Sequence, residues 1–340
     1  MTLEKVKVVV TDYIETDLKW EEEELAKYDN VFFEHYQLKF AEKDELISKI
    51  KDADVIVVNM APMTADVIDS LEKCKLIIRH GIGYDNVDLA SAIRKGIRVA
   101  NIPDYCAEEV AEQAIMLIMA TWRQAFRGRK ILEESSANGY WNFSTLPPIY
   151  RLSGKTLGII GCGRIGSWVY KKMKGFNMNC LINDPYMSDT RREKLGIPEL
   201  VSIEKVLKES DIVTIHTPLS AETRHLISDA QFDMMKETAI FVNTARAGLV
   251  DTEALIRALK ENKIAGAGID VYEKEPPLPD CELFKLENAT LSPHLGWCSV
   301  EAGWDIREKI LGDILRHLDG KPPRFTVNPD VEKVINEMEV

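Results

Sequence analysis

The sequence predicts an α/β protein of two doubly wound parallel-sheet domains with a cleft between them. Three observations predict it. Short apolar runs alternate with amphipathic helical patterns along most of the 340 residues, the pattern of strands covered on both faces by helices. The alternation comes as two series, one over the first hundred residues and one from Thr156 onward, with a polar, irregular stretch between them. The second series opens on Thr156-Leu157-Gly158-Ile159-Ile160, an apolar run that enters a G-x-G-x-x-G turn at Gly161, Gly163 and Gly166.

Bulk properties narrow the classes. A formal net charge of −12 at pH 7 argues against a nucleic-acid partner or an anionic membrane surface, so an anionic ligand needs a local cluster of positive groups. The six cysteines, at 74, 106, 162, 180, 281 and 298, form no C-x-x-C pair. They read as reduced cysteines of a cytoplasmic protein, and no metal site is expected. The chain start runs directly into a strand without a signal-peptide pattern. The longest apolar run, residues 114–120, is too short for a bilayer.

In the first series, residues 6–10, 31–36, 55–58, 76–78 and 97–100 read as buried parallel strands, and 41–51 and 65–74 as amphipathic helices. The acidic run Glu21–Glu24 reads as a solvated helix face. Pro103 ends the fifth strand and biases Ile102 away from helix. Residues 107–122 form a helical pattern that is apolar around most of its girth, the mark of a helix buried between domains or subunits. Residues 123–153 are irregular and carry Trp141, Phe143 and Pro147-Pro148. A segment that long is seldom a passive loop, and it reads as an arm that packs on a partner chain.

The second series places strands at 156–160, 180–183, 211–216, 239–243, 267–271 and 290–292, with helices at 164–174, 203–208 and 252–261. A last helix, from about 299 to 318, is apolar at Ile306, Ile310, Ile314 and Leu318. It is expected to return to the first domain. The boundaries are therefore 1–103 with 297–340 for a smaller, flavodoxin-like substrate domain. Residues 104–296 form a Rossmann nucleotide-binding domain, with a dimerisation helix and arm at 107–153.

The glycine turn has the layout of a dinucleotide site. Gly161 permits the tight turn, Gly163 lets a pyrophosphate approach the backbone, and Gly166 lets helix pack on strand. Free N–H groups at the helix start, over Arg164 and Ile165, attract phosphate. Asp184, at the end of the next strand, accepts hydrogen bonds from both ribose hydroxyls and repels a 2′-phosphate. The cofactor is therefore NAD.

Ligands of such sheets sit beyond the carboxyl ends of the strands, where this chain places His216-Thr217-Pro218, Thr244-Ala245-Arg246, Tyr272-Glu273-Lys274-Glu275 and His294-Leu295-Gly296-Trp297. The remaining cofactor-binding candidates come from these mouths: His216, Thr217, Pro218, Thr244, Ala245, Asp270 and Gly296. Hydride transfer to a 2-oxo acid needs a guanidinium to bind the carboxylate and polarise the carbonyl. It needs an imidazolium to protonate the oxygen and a carboxylate to hold that imidazole charged and oriented. One Arg, one Glu and one His stand at neighbouring mouths. Arg79 is either a pocket cation or a salt-bridged strand end. His80 and His216 are either functional or strand caps, and Glu273 competes with Glu275.

The chain resembles the D-isomer-specific 2-hydroxyacid dehydrogenase family over essentially its whole length. The resemblance rests on Arg79-His80-Gly81-Ile82-Gly83-Tyr84-Asp85-Asn86-Val87-Asp88, on Gly161 to Gly166 and on Asn243-Thr244-Ala245-Arg246-Ala247-Gly248-Leu249-Val250-Asp251. It also rests on Asp270-Val271-Tyr272-Glu273-Lys274-Glu275-Pro276 and Ser292-Pro293-His294. It implies that Arg246 binds and polarises the oxo acid, that His294 is the proton donor and acceptor, and that Glu275 is its charge partner. It further implies that Gly81, Ile82 and Gly83 hold the substrate carboxylate with backbone N–H groups, and that the protein is a homodimer. Pro103 to Ala111 and His294 to Trp297 resemble the branch that includes the C-terminal-binding-protein corepressors, which places Trp297 in the substrate pocket. A rival reading from that branch is an NAD-sensing interaction protein.

Asn59-Met60-Ala61-Pro62-Met63-Thr64 is expected at the pocket and has no Lys or Arg, which a phosphorylated substrate would want. Met60 and Met63 would supply a soft apolar wall. The chain also ends without an appended regulatory domain. These points favour glyoxylate, hydroxypyruvate or a short-chain 2-oxo acid, with D-3-phosphoglycerate dehydrogenase as the alternative.

Overall fold

A computed structural model describes residues 5–338. The chain forms two compact units, Met1–Tyr105 with Ser299–Val340, and Cys106–Cys298.

The first unit alternates β1 (Val6–Val10), α1 (Lys19–Leu25), β2 (Val31–His35), α2 (Lys43–Ile50), β3 (Val55–Val58), α3 (Ala65–Asp69), β4 (Leu76–Arg79), α4 (Leu89–Arg94) and β5 (Arg98–Ala100). Its parallel sheet has the order β2-β1-β3-β4-β5, the flavodoxin-like order. The central strand β3 is buried at all four positions, as four apolar β-branched residues between two helix layers require. β2 is an edge strand and is only half-buried. Burial was expected of it because an apolar run does not reveal whether it has one neighbour or two. Nor is Glu21 solvated: it is buried and paired through both oxygens with Arg307, at 2.6 and 2.5 Å. The predicted helix 65–74 stops at Asp69. Leu71 and Cys74 are still buried, but on irregular backbone.

The second unit begins with α5 (Ala107–Trp122) and α6 (Ala125–Ala137). It continues through β6 (Thr156–Ile160), α7 (Arg164–Met173), β7 (Asn179–Asn183), α8 (Asp189–Leu195), α9 (Ile203–Glu209), β8 (Ile212–Ile215) and α10 (Asp229–Phe232). It ends with β9 (Ile240–Asn243), α11 (Thr252–Lys260), β10 (Gly266–Ile269) and β11 (Ala289–Leu291). The parallel sheet has the order β11-β10-β9-β8-β6-β7. Outside β7, the Val201 N–H donates to Ile182 O at 2.9 Å and Asn183 Nδ2 donates to Val201 O at 2.8 Å. With Val201 standing in for a third strand, the order is the dinucleotide-binding one, and its topological switch lies between β6 and β8.

α5 buries one face and leaves Met116 exposed on the other. One expectation fails here. The stretch after α5 is not irregular throughout, because 13 of its residues form α6. α6 has few apolar residues and a glycine, so its periodicity is weak. An i,i+4 pair, Arg129–Glu133 at 2.8 Å, supports it instead.

The chain closes in the first unit with α12 (Val300–Leu318) and α13 (Val331–Met338). Ser299 caps α12 by accepting from the Ala302 N–H at 2.9 Å. Asn328 pins the tail to β5: its Oδ1 accepts from the Val99 N–H at 2.8 Å and its Nδ2 donates to Ile97 O at 2.9 Å.

Candidate active site

In the second unit the glycine turn joins β6 to α7. Gly161 has φ +83, and a Cβ there would stand 2.9 Å from the Thr217 amide nitrogen. A Cβ on Gly166 would overlap the Gly161 carbonyl oxygen. Both positions therefore need glycine, one for backbone conformation and one for helix–strand approach. Gly163 is the N-cap of α7, and a Cβ there would meet no protein atom within 4 Å. It opens onto clear space at the positive end of a ten-residue helix. Arg164 and Ile165 form the first turn of that helix.

Asp184 follows β7. Its Oδ2 accepts from the Cys162 N–H at 2.8 Å and its Oδ1 from the Tyr186 N–H at 3.1 Å, so the carboxylate is held beside the glycine turn. The Thr244 hydroxyl is buried and, among the described residues, has no partner. An acid beside the glycine turn, open space over Gly163 and an unpartnered hydroxyl at a neighbouring strand mouth fit a dinucleotide. The His216 side chain turns inward: Nε2 lies 3.0 Å from the Thr214 hydroxyl, and burial pushes the imidazole down to about 4. It is neutral at pH 7. Among the described residues no group of His, Cys, Asp or Glu is placed to hold a metal ion.

Arg246, Glu275 and His294 stand on the loops after β9, β10 and β11. His294 Nδ1 lies 2.8 Å from Glu275 Oε2, which assigns the Nδ1 proton to that bond. Nε2 has no partner among the described residues. Both side chains are partly exposed, 34% and 21%, so the pair is within reach of a ligand. Burial pushes the Glu275 carboxyl up. The His294 hydrogen bond and charge, the Tyr272 N–H and the Arg246 guanidinium outweigh it and hold the carboxyl below the usual glutamate value. Glu273 is exposed and accepts from the Thr252 hydroxyl at 2.9 Å, which removes it from the competition. Arg246 is half-buried and donates to Ala245 O at 2.9 Å. Asn243 shapes its loop, with Nδ2 donating to Arg246 O and Oδ1 accepting from the Ala245 N–H, both at 2.9 Å.

Three residues that sequence reasoning left without this role hold the histidine loop. Asp270 is fully buried. Its Oδ1 accepts from the Ser292 hydroxyl at 2.5 Å, the Leu295 N–H at 3.0 Å and Gln113 Nε2 at 3.2 Å, while Oδ2 accepts from the Gly296 N–H at 2.8 Å. Gln113 Nε2 also lies 2.9 Å from the Ser292 hydroxyl. Asp270 was read as a cofactor ligand; its observed bonds clamp the residues on both sides of His294, which sits at φ +56. A non-glycine residue there costs about 1–2 kcal/mol, which the clamp offsets. A buried acid at a strand end was the available signal.

In the first unit, Arg79 ends β4. Its Nη1 donates to His80 O at 2.6 Å and its Nη2 lies 3.9 Å from Met60 Sδ. Gly81 has φ +149, and a Cβ there would overlap the guanidinium. The Gly81 carbonyl accepts from the Ile102 N–H at 3.0 Å and the Ile82 carbonyl from Asn101 Nδ2 at 2.7 Å. The Gly81 N–H, expected to face a carboxylate, instead donates to Arg79 O at 2.8 Å, whereas the amides of Ile82 and Gly83 donate to no protein acceptor among the described residues. Met63 is fully buried in the core, so only Met60 of the two methionines can face a ligand. Trp297 is half-buried.

The chain is similar to known proteins over most of its length. The family model described as D-isomer specific 2-hydroxyacid dehydrogenase, NAD binding domain, matches residues 115–296. The chain is 39% identical over 312 residues to a glyoxylate reductase of Korarchaeum cryptofilum, covering 88% of this chain and 92% of that one. It is 44% identical over 261 residues to a D-3-phosphoglycerate dehydrogenase of Methanocaldococcus jannaschii, covering 76% of this chain but 49% of that one. Among solved structures, a D-lactate dehydrogenase of Aquifex aeolicus complexed with NAD and lactic acid superposes with a TM-score of 0.83. It has 27% identity and covers 94% of this chain and 99% of that one.

Proposed function

The chain belongs to the D-isomer-specific 2-hydroxyacid dehydrogenase family and is an NAD-dependent oxidoreductase; on that premise we propose that its substrate is a small, unphosphorylated 2-oxo acid of the glyoxylate or hydroxypyruvate class. The observation that carries the chemistry is the His294–Glu275 pair, at 2.8 Å on neighbouring strand mouths with Arg246 beside it. NADH, when bound, supplies the hydride. Arg246 binds the carboxylate and polarises the carbonyl. His294 donates a proton from Nε2 to the carbonyl oxygen while Glu275 holds Nδ1. Arg79, with the amides of Ile82 and Gly83, is assigned to the substrate carboxylate, and Met60 and Trp297 to its apolar side.

One further observation supports the unphosphorylated class: the loop 59–64 carries no cation. The test is oxidation of NADH against a panel of 2-oxo acids. Glyoxylate or hydroxypyruvate is expected to lead phosphohydroxypyruvate, and NADH to lead NADPH. A lead for phosphohydroxypyruvate moves the protein to the alternative reading, D-3-phosphoglycerate dehydrogenase. NADH binding without turnover on any member moves it to an NAD-sensing interaction protein. NADPH serving equally well removes the assigned role of Asp184.

The homodimer belongs to the same proposal. α5, α6 and the segment after them expose Met116, Phe126, Leu132, Tyr140, Trp141 (78%) and Phe143, an apolar concentration that a monomer seldom leaves in water. The segment also walls a cavity of about 560 Å³, lined by Trp122, Pro147, Pro148 and Tyr150. Light scattering at micromolar concentration is expected to give a dimer, and Trp141→Arg with Phe143→Asp to give a monomer. A wild-type monomer overturns the assignment. No helix among the described residues is long and apolar enough to cross a membrane. The six cysteines are free, which supports a cytoplasmic location.

A further inference from the structure

The loop after β1, residues 11–18, reaches the elements that carry Met60, Arg79 and Gly81. Asp12 is buried, and its carboxylate gathers four donors. The N–H groups of Asn59, Met60 and Ala61 approach at 3.2, 2.7 and 3.2 Å, and the Thr11 hydroxyl at 2.7 Å. Three consecutive amides converging on one anion fix the backbone of the segment that supplies them. The other side of that segment is held too, because Asn86 Nδ2 donates to Asn59 O at 3.1 Å and to Ala61 O at 3.0 Å. Met60, so placed, touches the Arg79 guanidinium, which donates to His80 O. The His80 ring turns back to the same loop. Its Nε2 lies 3.1 Å from Glu15 Oε1, within ion-pair range though off the line of a good hydrogen bond. Both side chains are at most 10% exposed.

The contacts therefore close a circuit, Asp12–Met60–Arg79–His80–Glu15, that begins and ends within four residues of the β1 loop. Glu15 remains ionised in it. Burial pushes its carboxyl up, and the His80 contact and the Ile14 and Glu15 amides outweigh that and bring it below the ordinary value.

We propose that Asp12 and the Glu15–His80 pair are positioning residues for the reaction, setting where the Arg79 guanidinium and the Ile82 and Gly83 amides meet the substrate carboxylate. The inference rests on the reading of those groups as the carboxylate-binding loop. None of the three needs to touch substrate. Asp12 acts through the 59–61 backbone, and Glu15 acts through His80, the residue between Arg79 and Gly81.

The test is steady-state kinetics on the full chain with the best 2-oxo acid of the panel, together with NADH affinity by fluorescence. Asp12→Asn replaces one of two acceptor oxygens by a donor that faces three amides. It is expected to raise KM about tenfold, equivalent to about 1.4 kcal/mol of lost binding. kcat is expected to stay within about threefold of wild type, and the NADH Kd unchanged. Glu15→Gln and His80→Leu are expected to raise KM in the same sense, and His80→Gln, which keeps a donor near the Nε2 position, to restore most of it. If Asp12→Asn does not fold, the Glu15 and His80 variants decide on the same split. KM unmoved in the folded variants overturns the proposal, as does a parallel loss of kcat and NADH affinity. Wild-type protein that binds NADH but reduces no 2-oxo acid removes the functional reading, and this inference with it.

Discussion

His294→Gln is expected to lower kcat for 2-oxo acid reduction by about 10²–10⁴-fold, the range that a positioned general acid supplies, while NADH binding stays close to wild type. The glutamine amide can still donate a hydrogen bond toward a carbonyl oxygen, but it has no transferable proton at neutral pH. The loss therefore measures proton transfer rather than substrate placement. Two features of the loop support a clean reading. The position is set by the backbone, since Asp270 clamps Ser292, Leu295 and Gly296 without touching the imidazole. The cofactor-binding candidates at Gly161, Gly163 and Asp184 are organised by β6, α7 and β7, which the substitution leaves alone. Single-turnover decay of NADH absorbance, with fluorescence titration of NADH alongside, makes the measurement. A variant within about tenfold of wild type would sink the proton-donor role.

Much of the sheet architecture is legible because buried parallel strands announce themselves. Val55–Val58 and Ile240–Asn243 are buried at every position, so unbroken apolar runs locate them without any partner information. The glycine turn is legible because each glycine answers a local demand, a positive φ at Gly161 and a helix–strand approach at Gly166. Arg246, Glu275 and His294 stand out because strand mouths can be counted from those runs. What escapes is what depends on distant partners. Glu21 looks like one of four solvated acids until Arg307, 286 residues away, is seen to claim it. Asp12 and Gln113 carry no motif, because their partners are backbone amides or a carboxylate on another element. α6 hides because ion pairs, not an apolar stripe, hold its exposed face. Met63 reads as a pocket residue from its position in a loop, yet it is core, since loop membership does not fix the direction of a side chain.

Arg246→Gln is the second large effect. It is expected to lower kcat/KM by about 10³-fold or more, equivalent to about 4 kcal/mol of transition-state stabilisation. The proposed guanidinium does two jobs, pairing with the carboxylate in the ground state and stabilising the charge that develops on the carbonyl oxygen. Loss of the first raises KM; loss of the second lowers kcat. Arg246→Lys separates them. A lysine keeps the positive charge but replaces the planar fork with a point charge on a flexible stem. It is expected to recover KM more fully than kcat, because carboxylate binding tolerates imprecise geometry and polarisation of one oxygen does not. The charge also bears on Glu275, whose carboxyl it helps to hold in the ionised state, so the glutamine variant weakens the histidine pair as well. The Arg246 and His294 effects should accordingly fall short of additive: the double variant should lose less than the product of the two single losses. Full additivity would mean that the two side chains act independently and that Arg246 does not share the carbonyl oxygen with His294. An Arg246→Gln enzyme within about tenfold of wild type would remove Arg246 from the reacting centre altogether.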